Sequence, residues 1–467
     1  MGVFRPETYK NGIMWSSAFN ICGRSVAFVQ QWLIGYYFGA YSGTDVFFFI
    51  YNLILFISFF FLNFSTAVLI PKSIRLRIAE GEHSSMTFLN AFIFLYGGIG
   101  ILLFLFACIG TLPFVSAISS FSKTLIDANV HLIRWILPIL FLNMLTSLMT
   151  EILASYKYFT FPNLINLINS SLGVLFVLLF HDMLGLKSVA IGLVFGYVVN
   201  ILLVLIMMKH LLKWKMFSVS FKHVKSALKT GCYTQLGYLV YLMAMFVPQY
   251  FFTSFPEGSL TAISFADKMT NIPSIFLVGQ ILSVMAIKYN NLVGKGHYQE
   301  VARLTEKLLL SVMSGLFVVA VGVSLLSGWL VELLFGIGKF TTDSLDLTAR
   351  ILSMQILYLP FLFVYNMFMR IFNAYQLQRV YVWVQLFAQG TIIVLYCWLI
   401  PEYGAIGYPL SLALPYITVA YFVVPLFKRY CPEMRVGRYY AFLVVFTVVF
   451  AVYYYHCLLY TSPSPRD

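Results

Sequence analysis

Residues 45–71 read DVFFFIYNLILFISFFFLNFSTAVLIP, an almost unbroken apolar run. A helix needs roughly 20 apolar residues to cross the hydrocarbon core of a bilayer. Runs of comparable length follow one another from Ile13 to His456. A backbone in lipid must satisfy its own polar groups, so it forms either helices or a closed barrel. Because the runs are continuous rather than alternating, the barrel is excluded.

The sequence therefore predicts an all-α polytopic membrane protein with about 13 visible transmembrane helices. The predicted spans are 13–38, 45–71, 87–113, 130–156, 159–181, 186–208, 229–254, 259–287, 308–336, 347–373, 378–400, 404–427 and 439–456.

The composition and the cysteines exclude other classes of protein. With 61% hydrophobic and 10% charged residues, a soluble globular fold is excluded. The six cysteines are scattered without a CxxC pair, and no histidine lies at ligand spacing from them. We therefore expect no disulfide framework, no metal site and no cofactor. The first apolar run is long and carries Arg24, which indicates a retained helix rather than a cleaved signal peptide.

Basic residues are distributed unequally between alternate loops. Counting every second loop from the N-terminal tail gives 21 basic residues, whereas the opposite loops hold Lys123, Lys187 and Lys339. This asymmetry predicts a cytoplasmic N-terminus. The net charge of +13 lies mostly in these short loops, and no basic-aromatic patch typical of nucleic-acid binding is present.

The sequence also contains an internal duplication. Three motifs recur in the same order at offsets of 222, 219 and 215 residues: Leu137-Pro138-Ile139-Leu140-Phe141 with Leu359-Pro360-Phe361-Leu362-Phe363, Ala154-Ser155-Tyr156 with Asn373-Ala374-Tyr375, and Ala190-Ile191-Gly192 with Ala405-Ile406-Gly407. Six spans separate the copies, and this even number gives the two halves parallel topology. Two parallel six-helix lobes around a central cavity are typical of a transporter.

The predicted domains follow from this duplication. An N-lobe (1–215) and a C-lobe (216–430) precede an additional helix (431–456). The segment 457–467, CLLYTSPSPRD, can be back-translated into a sequencing-library adaptor and interrupts an apolar helix. We interpret it as non-native read-through. On that interpretation the intact chain continues and has 14 transmembrane helices.

Polar residues form stripes on several predicted spans. Their spacings place the members of each stripe on one helical face. Interhelical hydrogen bonds explain any single asparagine or glutamine, whereas stripes repeated in both lobes favour a hydrated cavity. Arg370 ranks lower because it lies near the predicted cytoplasmic end of its helix, from which it can snorkel. The candidate cavity residues are Asn20, Arg24, Gln31, Asp45, Asn166, Asp267, Lys268, Arg370, Gln385 and Gln389.

Two cations carry most of the functional signal. Arg24 lies near the middle of the first span, where an arginine costs roughly 2.5–3.5 kcal/mol on insertion scales unless water or an anion satisfies it. Lys268 lies within the eighth span, next to Asp267. In one interpretation, Arg24 pairs with Asp45 or Glu151 and only fixes packing. In the other, Arg24 and Lys268 give a central cavity a positive potential that attracts an anion such as a pyrophosphate.

The remaining sequence signals argue against an enzyme. No GxGxxG, Walker, HExxH or GxSxG pattern is present, and the loops are too short to hold a catalytic domain. The spans hold few acidic residues and no carboxylate cluster of the kind that a proton or sodium relay needs. This scarcity disfavours a cation-coupled drug antiporter.

Three stretches together carry a family resemblance. They are Gly39-Ala40 with TDVFF at 44–48, after a first helix with Gly23-Arg24; GSLTAISFADK at 258–268 with Pro273; and LFGIGKF at 334–340 with Thr348-Ala349-Arg350 and Arg370. They resemble the MviN/MurJ-type lipid II flippases of the MOP exporter superfamily. With the span count and the duplication, the resemblance covers nearly the whole chain.

The resemblance implies two lobes around a cationic cavity. It implies movement of an undecaprenyl-pyrophosphate-linked saccharide to the outer leaflet by alternating access, and it assigns cavity cations to Arg24 and Lys268. Gln30 and Gln31 stand where the family has a further arginine and an acid. The family's basic, acidic and glycine-rich segment is replaced by ISFFFLN at 57–63. We therefore predict a divergent relative that handles a lipid II-like or surface-polysaccharide precursor.

Three functions remain open at the level of sequence. The leading hypothesis is a lipid-linked saccharide flippase whose partners are the lipid-linked saccharide, membrane lipids and glycan-assembly proteins, with ion or membrane-potential coupling undetermined. The second is a MATE-like, cation-coupled multidrug exporter of the same superfamily. The third is a non-transporting membrane scaffold for glycan assembly, for which the charge of Arg24 would be dispensable.

Overall fold

The structure, a computed structural model, describes residues 9–435 and 437–459, without the side chains of 9–14, 233–234, 276, 280, 283–284, 287 and 456–459. Every regular element in these two segments is a helix. Of the segment interpreted as read-through, residues 460–467 lie outside the described residues. The prediction of an all-α polytopic membrane protein is confirmed.

Nine helices of the described part are long and apolar enough to cross a membrane. They account for ten of the 13 predicted spans, because Gln378–Lys428 takes in two of them. The three predicted spans outside this set are helices Tyr9–Phe38, Val224–Phe252 and the region 259–294. These helices carry Arg24, Gln235 with Gln249, and Asp267 with Lys268.

The described residues up to Leu260, together with Gly338–Phe340, form one compact unit, unit 1. In this unit α9 packs between α1 and α10, α8 contacts α4 and α10, and α2 packs on α11. A short π-helical segment, Ser65–Leu69, continues α2 into α3. The helices are α1 (Tyr9–Phe38), α2 (Ser42–Phe64), α3 (Ile70–Glu80), α4 (Glu82–Ile109), α5 (Thr111–Ile118), α6 (Lys123–Ala128), α7 (Val130–Ile136), α8 (Pro138–Ser155), α9 (Thr160–Leu184), α10 (Lys187–Leu211) and α11 (Val224–Phe252).

The second compact unit, unit 2, holds the remaining described residues. In it α17 packs on α13, α14 and α19, while α18 pairs with α19 and α20 lies on α14. The helices are α12 (Ser259–Pro273), which begins two residues before the division, α13 (Gln280–Gly294), α14 (Tyr298–Leu325), α15 (Ser327–Phe335), α16 (Thr342–Gln355), α17 (Leu359–Ala374), α18 (Gln378–Tyr403), α19 (Gly407–Lys428) and α20 (Gly437–Leu459). The functional division into lobes 1–215 and 216–430 stays a prediction.

The two units repeat the same backbone turns at a spacing of 219 residues. After α8, Lys157 has φ +68° and its N–H donates to Ala154 at 3.0 Å; after α17, Gln376 has φ +57° and its N–H donates to Asn373 at 3.1 Å. These turns lie in the second duplicated sequence motif. The next helix of each unit also ends alike, since the glycine at 185 has φ/ψ of +56°/−143° and the one at 404 has +61°/−143°. The backbone therefore agrees with the duplication found in the sequence.

Replacement of Gly185 by alanine tests this shared turn. A residue with a Cβ rarely adopts φ/ψ of +56°/−143°, so we expect Gly185→Ala to lower the free energy of unfolding by about 1–3 kcal/mol. The same substitution at Gly98, inside α4 and with open space around it, should leave stability unchanged or raise it by up to about 1 kcal/mol. Unfolding of both variants by SDS in mixed micelles measures the difference. Equal stability of the two variants would contradict the assignment of the turn.

Candidate functional site

A chain of polar side chains joins α1 to α9 and ends on Arg24. The Nε atom of Arg24 donates to Asn20 Oδ1 at 2.7 Å. The Asn20 amide donates in turn to Asn163 Oδ1 at 3.0 Å, and the Asn163 amide donates to Ser16 Oγ at 2.6 Å. One edge of the guanidinium is thus fixed by Asn20, which is itself fixed by α9.

Arg24 keeps its charge without a carboxylate at hand. Its side chain is exposed and lies at the middle of α1. Across residues 9–435 and 437–459, no salt bridge joins Arg24 to an acid, including Asp45 and Glu151. Its neutral ligand, Asn20, orients the group but does not neutralise it. The charge therefore stays available to an anion.

The polar stripe on α9 is divided between two packing roles and one exposed position. Asn163 bonds to α1, as described. Asn169 is buried against α10, where a Cβ at Gly196 would lie 2.0 Å from Asn169 Oδ1. Asn166, the member predicted to line a cavity, is exposed. Two of the three asparagines thus act as interhelical contacts.

The two glutamines near the end of α1 differ in their surroundings. Gln30 is buried against α9, where a Cβ at Gly173 would lie 2.4 Å from Gln30 Nε2. Gln31, the predicted cavity residue, is half-buried. Neither side-chain nitrogen has a hydrogen-bond partner among the residues that the structure describes. A buried amide without a partner is costly, and Gln30 is the more buried of the two.

The Asp45 carboxylate accepts a hydrogen bond from a backbone amide. It lies in the first turn of α2 with 5% of its surface exposed, and its Oδ2 accepts the N–H of Gly258 at 2.7 Å. Gly258 has φ +85°, and a Cβ there would lie 2.8 Å from the carbonyl oxygen of Ala40. Beside it, the N–H of Ser42 donates to Glu257 Oε1 at 2.8 Å. This hydrogen bond holds the pKa of the Glu257 carboxyl below its usual value.

The segment around Lys339 docks on the same turn of unit 1. The N–H of Lys339 donates to the carbonyl of Tyr36 at 3.1 Å. Gly39 has φ +73°, and a Cβ there would lie 2.2 Å from the carbonyl oxygen of Lys339. The three stretches on which the family resemblance rests thus meet where α1 turns into α2. We call residues 39–45, 257–258 and 338–339 the α2 clasp.

A cavity of about 450 Å³ lies beside the α2 clasp. Its lining combines two carboxylates with several hydroxyls: Ser42, Asp45, Ser120, Phe121, Ser122, Thr124, Leu125, Thr253, Phe255 and Glu257. Ser120 and Thr253 are joined by a hydrogen bond of 2.8 Å from the Ser120 N–H to Thr253 Oγ1. The cavity lining is thus mixed, with polar and apolar side chains, and belongs entirely to unit 1.

In unit 2, neutral donors fix the Asp267 carboxylate. Its Oδ1 accepts Gln355 Nε2 at 2.7 Å and Tyr408 Oη at 2.8 Å, so α12 is linked to α16 and α19. Lys268, the next residue, is exposed. No salt bridge joins these two neighbours in the part of the chain described. Lys268 thus resembles Arg24 of unit 1 in being an exposed cation within a helix that is predicted to span the membrane.

The other predicted residues of unit 2 are dispersed. Gln389 is buried, and its Nε2 lies 3.5 Å from Tyr416 Oη. Gln385 is half-buried on the same helix, and Arg370 is exposed near the end of α17. Among the described residues, the hydrogen bonds of unit 2 do not join Gln385 or Arg370 to Asp267 or Lys268.

The stripes predicted that the candidate cavity residues lie together. Within each unit, the structure joins only some of them. Asn20 and Arg24 are bonded, whereas Asp45 belongs to the α2 clasp. The residues that the prediction missed are partners from distant sequence, above all Tyr408 for Asp267 and Gly258 for Asp45. The sequence pattern does indicate Asn163, because it lies three residues before Asn166 and therefore on the same helical face.

Comparison with known protein families decides the identity of the fold. The sequence model of the family described as lipid II flippase MurJ matches residues 34–463. The chain belongs to the MurJ family. MurJ-family proteins are transporters rather than enzymes. The match contains the α2 clasp and the Asp267–Lys268 pair, but it begins after Asn20, Arg24 and Gln31.

Individual relatives are distant in sequence. The probable lipid II flippase MurJ of Bdellovibrio bacteriovorus is 23% identical over 188 residues, which are 40% of this chain and 36% of that protein, so the aligned part spans about a third of the relative's length. A structure of lipid II flippase MurJ in an inward closed conformation has a TM-score of 0.80 at 18% identity, over 95% of this chain and 93% of that one. An inward-facing MATE-family multidrug resistance transporter of the MOP superfamily has a TM-score of 0.68 at 12% identity, over 89% and 95%. These likenesses establish a MurJ/MATE-like fold.

Removal of the Asp45 carboxylate tests the α2 clasp. Asp45→Ala leaves the N–H of Gly258 without its acceptor in a buried position, so we expect a loss of about 1–3 kcal/mol in the free energy of unfolding. Asp127→Ala, at an exposed position of α6, removes the same charge and should change stability by less than about 0.5 kcal/mol. SDS unfolding of both variants measures the difference, and equal effects would contradict the clasp.

Proposed function

We propose that this chain transports an undecaprenyl-pyrophosphate-linked saccharide from the inner to the outer leaflet of the bacterial cytoplasmic membrane by alternating access. Membership of the MurJ family supports the transport of a lipid-linked glycan. The unequal loop charges support a cytoplasmic N-terminus. The substrate carries a lipid II-like saccharide or a precursor of a surface polysaccharide.

The exposed charge of Arg24 carries this proposal. Arg24 is the only charged residue between Lys10 and Asp45, and it lies at the middle of a helix long enough to span the bilayer. A guanidinium at that depth requires water or an anion. A pyrophosphate fits this requirement, because guanidinium–phosphate hydrogen bonds are charge-assisted and frequently bidentate. Asn20 accepts a hydrogen bond from Nε of Arg24, and in this assignment the two terminal nitrogens of the guanidinium bind the substrate.

We assign a second phosphate-binding role to Lys268 of unit 2. Its ammonium is exposed, while Asp267 beside it is engaged by Gln355 and Tyr408. Lysine binds phosphate as a point charge rather than through a fork. The exposed Asn166 and the half-buried Gln385 then serve the saccharide, since amides both donate to and accept from sugar hydroxyls.

The α2 clasp suits a contact that opens and closes during transport. Its segments are joined by hydrogen bonds from Gly258 to Asp45, from Ser42 to Glu257 and from Lys339 to Tyr36. Each bond contributes a net stability of only about 1 kcal/mol, or up to about 3 when a charged group takes part. Hydrogen bonds of this strength are reversible on the timescale of a transport cycle.

A cation-coupled multidrug exporter is the second candidate, because the fold likeness to a MATE-family transporter extends over 89% of the chain. The two candidates differ in substrate and in energy source. A sodium or proton gradient that drives drug efflux from proteoliposomes would favour the exporter.

Charge reversal at Arg24 tests the proposed function. In proteoliposomes that contain a fluorescent undecaprenyl-pyrophosphate-linked saccharide, we expect Arg24→Glu to slow flipping on the order of tenfold or more, which corresponds to an increase of at least about 1.4 kcal/mol in the activation free energy of flipping. Arg24→Lys should retain part of the rate, because it keeps the charge but loses the bidentate geometry. Lys123→Glu, at the exposed first residue of α6, makes the same charge reversal and should leave the rate unchanged. Normal flipping by Arg24→Glu would exclude the assigned role of Arg24, and normal complementation of a flippase-depleted strain by the same variant would favour the scaffold.

A further inference from the structure

The linker between α10 and α11, residues 212–223, is bonded along the side of α4. The amide of Asn90, which is fully buried, donates to the carbonyls of Lys215 at 2.7 Å and Ser218 at 2.8 Å. Its oxygen accepts the indole N–H of Trp214 at 2.7 Å. The N–H of Ser220 donates to the carbonyl of Thr87 at 3.1 Å. One asparagine thus satisfies three polar groups of an irregular segment.

These contacts place the linker beside a membrane-spanning helix. Its bonding partners Thr87 and Asn90 belong to Glu82–Ile109, one of the nine membrane-spanning candidates. The ring of Phe217 lies 6.4 Å from that of Phe94, which is roughly 18 Å along the helix from Glu82 at 1.5 Å per residue. Irregular backbone at such a depth is stable only when its polar groups are bonded, and Asn90 provides those bonds.

The outer surface of the linker is both aromatic and basic. Phe217 is 91% exposed and Phe221 is 64% exposed. Lys213 and Lys215 are also exposed. The whole stretch between Asp182 and Glu257 lacks acidic residues and holds Lys187, Lys209, Lys213, Lys215, Lys222, Lys225 and Lys229. The carboxylate of Glu80 reaches Lys222 at 3.5 Å, but Lys213 and Lys215 form no salt bridge in the described part of the chain.

Arg77 and Lys157 add positive charge near Trp214 of the linker. The ring of Tyr156 lies 6.1 Å from that of Trp214, and the guanidinium of Arg77 lies 3.6 Å from the centre of the Tyr156 ring. Lys157 and Lys213, which follow and precede these two aromatic residues, have φ of +68° and +49°. This left-handed conformation favours glycine or asparagine. These turns place two lysines beside the ring pair of Tyr156 and Trp214.

We propose that residues 212–223 form an interfacial anchor that binds anionic phospholipids. Phe217 and Phe221 insert among the acyl chains, while Lys213 and Lys215 bind the lipid phosphates from the headgroup layer. Aromatic side chains combined with basic ones are typical of segments that lie in the membrane interface. The ligand is bulk phospholipid of the leaflet, so this surface is distinct from the one proposed for the transported saccharide.

Neutralisation of two lysines tests the charge of the anchor. The full chain is reconstituted in nanodiscs of phosphatidylcholine that contain increasing fractions of phosphatidylglycerol. Native mass spectrometry of the protein released from the nanodiscs then counts the lipids that stay bound. We expect the unmodified chain to retain phosphatidylglycerol in preference to phosphatidylcholine. Lys213→Gln/Lys215→Gln should lower the affinity for phosphatidylglycerol about 30-fold, because each lysine near the surface contributes about 1 kcal/mol. The control Lys123→Gln/Lys187→Gln removes the same charge from the exposed first residues of α6 and α10 and should retain as much phosphatidylglycerol as the unmodified chain.

A photo-cross-linker at position 217 tests the depth of the anchor. Benzoylphenylalanine in place of Phe217 should form adducts with phospholipid, whereas the same group at position 123 should not. Asn90→Ala should reduce the adducts at 217, because the linker then loses its attachment to α4. Equal retention of the two phospholipids, equal losses in the two double-lysine variants, or cross-links from 217 to protein rather than lipid would overturn the proposal. None of these readouts requires a lipid-linked saccharide, so their failure leaves the proposed transport function standing.

Discussion

A positive charge in the middle of a membrane helix must be satisfied, and this requirement explains much of unit 1. Arg24 has no carboxylate beside it among the described residues; instead Asn20 takes one edge of the guanidinium, and Asn163 and Ser16 continue the hydrogen bonds into α9. A carboxylate would neutralise the charge and remove its attraction for an anion, whereas an amide orients the group and leaves the charge intact. In unit 2 the Asp267 carboxylate is likewise bonded to a neutral amide, that of Gln355, while the neighbouring Lys268 is exposed.

The α2 clasp shows that the residues behind the family resemblance serve the backbone more than the charge. Gly39 and Gly258 have positive φ and lie within contact distance of carbonyl oxygens, so a side chain at either position would collide with its neighbour. Asp45 accepts an amide N–H instead of pairing with Arg24. These positions therefore fix how segments approach the start of α2. The cations assigned to the substrate, Arg24 and Lys268, belong to the same stretches but lie outside the α2 clasp.

Much of the fold is readable from the sequence because lipid imposes a simple rule of length and apolarity. Ten predicted spans correspond to helices of the described part that are long and apolar enough to cross a membrane. The duplication was also visible, and the left-handed turns at Lys157 and Gln376 agree with it. Side-chain pairing was not readable, because the partners Tyr408 and Gly258 come from distant segments that helical spacing cannot relate to Asp267 and Asp45. The stripe on α9 shows the same limit, since spacing placed Asn163 and Asn166 on one face but did not reveal that only the first bonds to α1.

The central claim is that the guanidinium of Arg24 recognises a pyrophosphate, and equilibrium binding tests it most directly. The affinities of the unmodified chain and of Arg24→Gln for undecaprenyl pyrophosphate and for uncharged undecaprenol are compared in the same detergent. The account predicts that the unmodified chain prefers the pyrophosphate and that Arg24→Gln loses most of this preference while binding undecaprenol equally well. An unchanged preference in Arg24→Gln would contradict it.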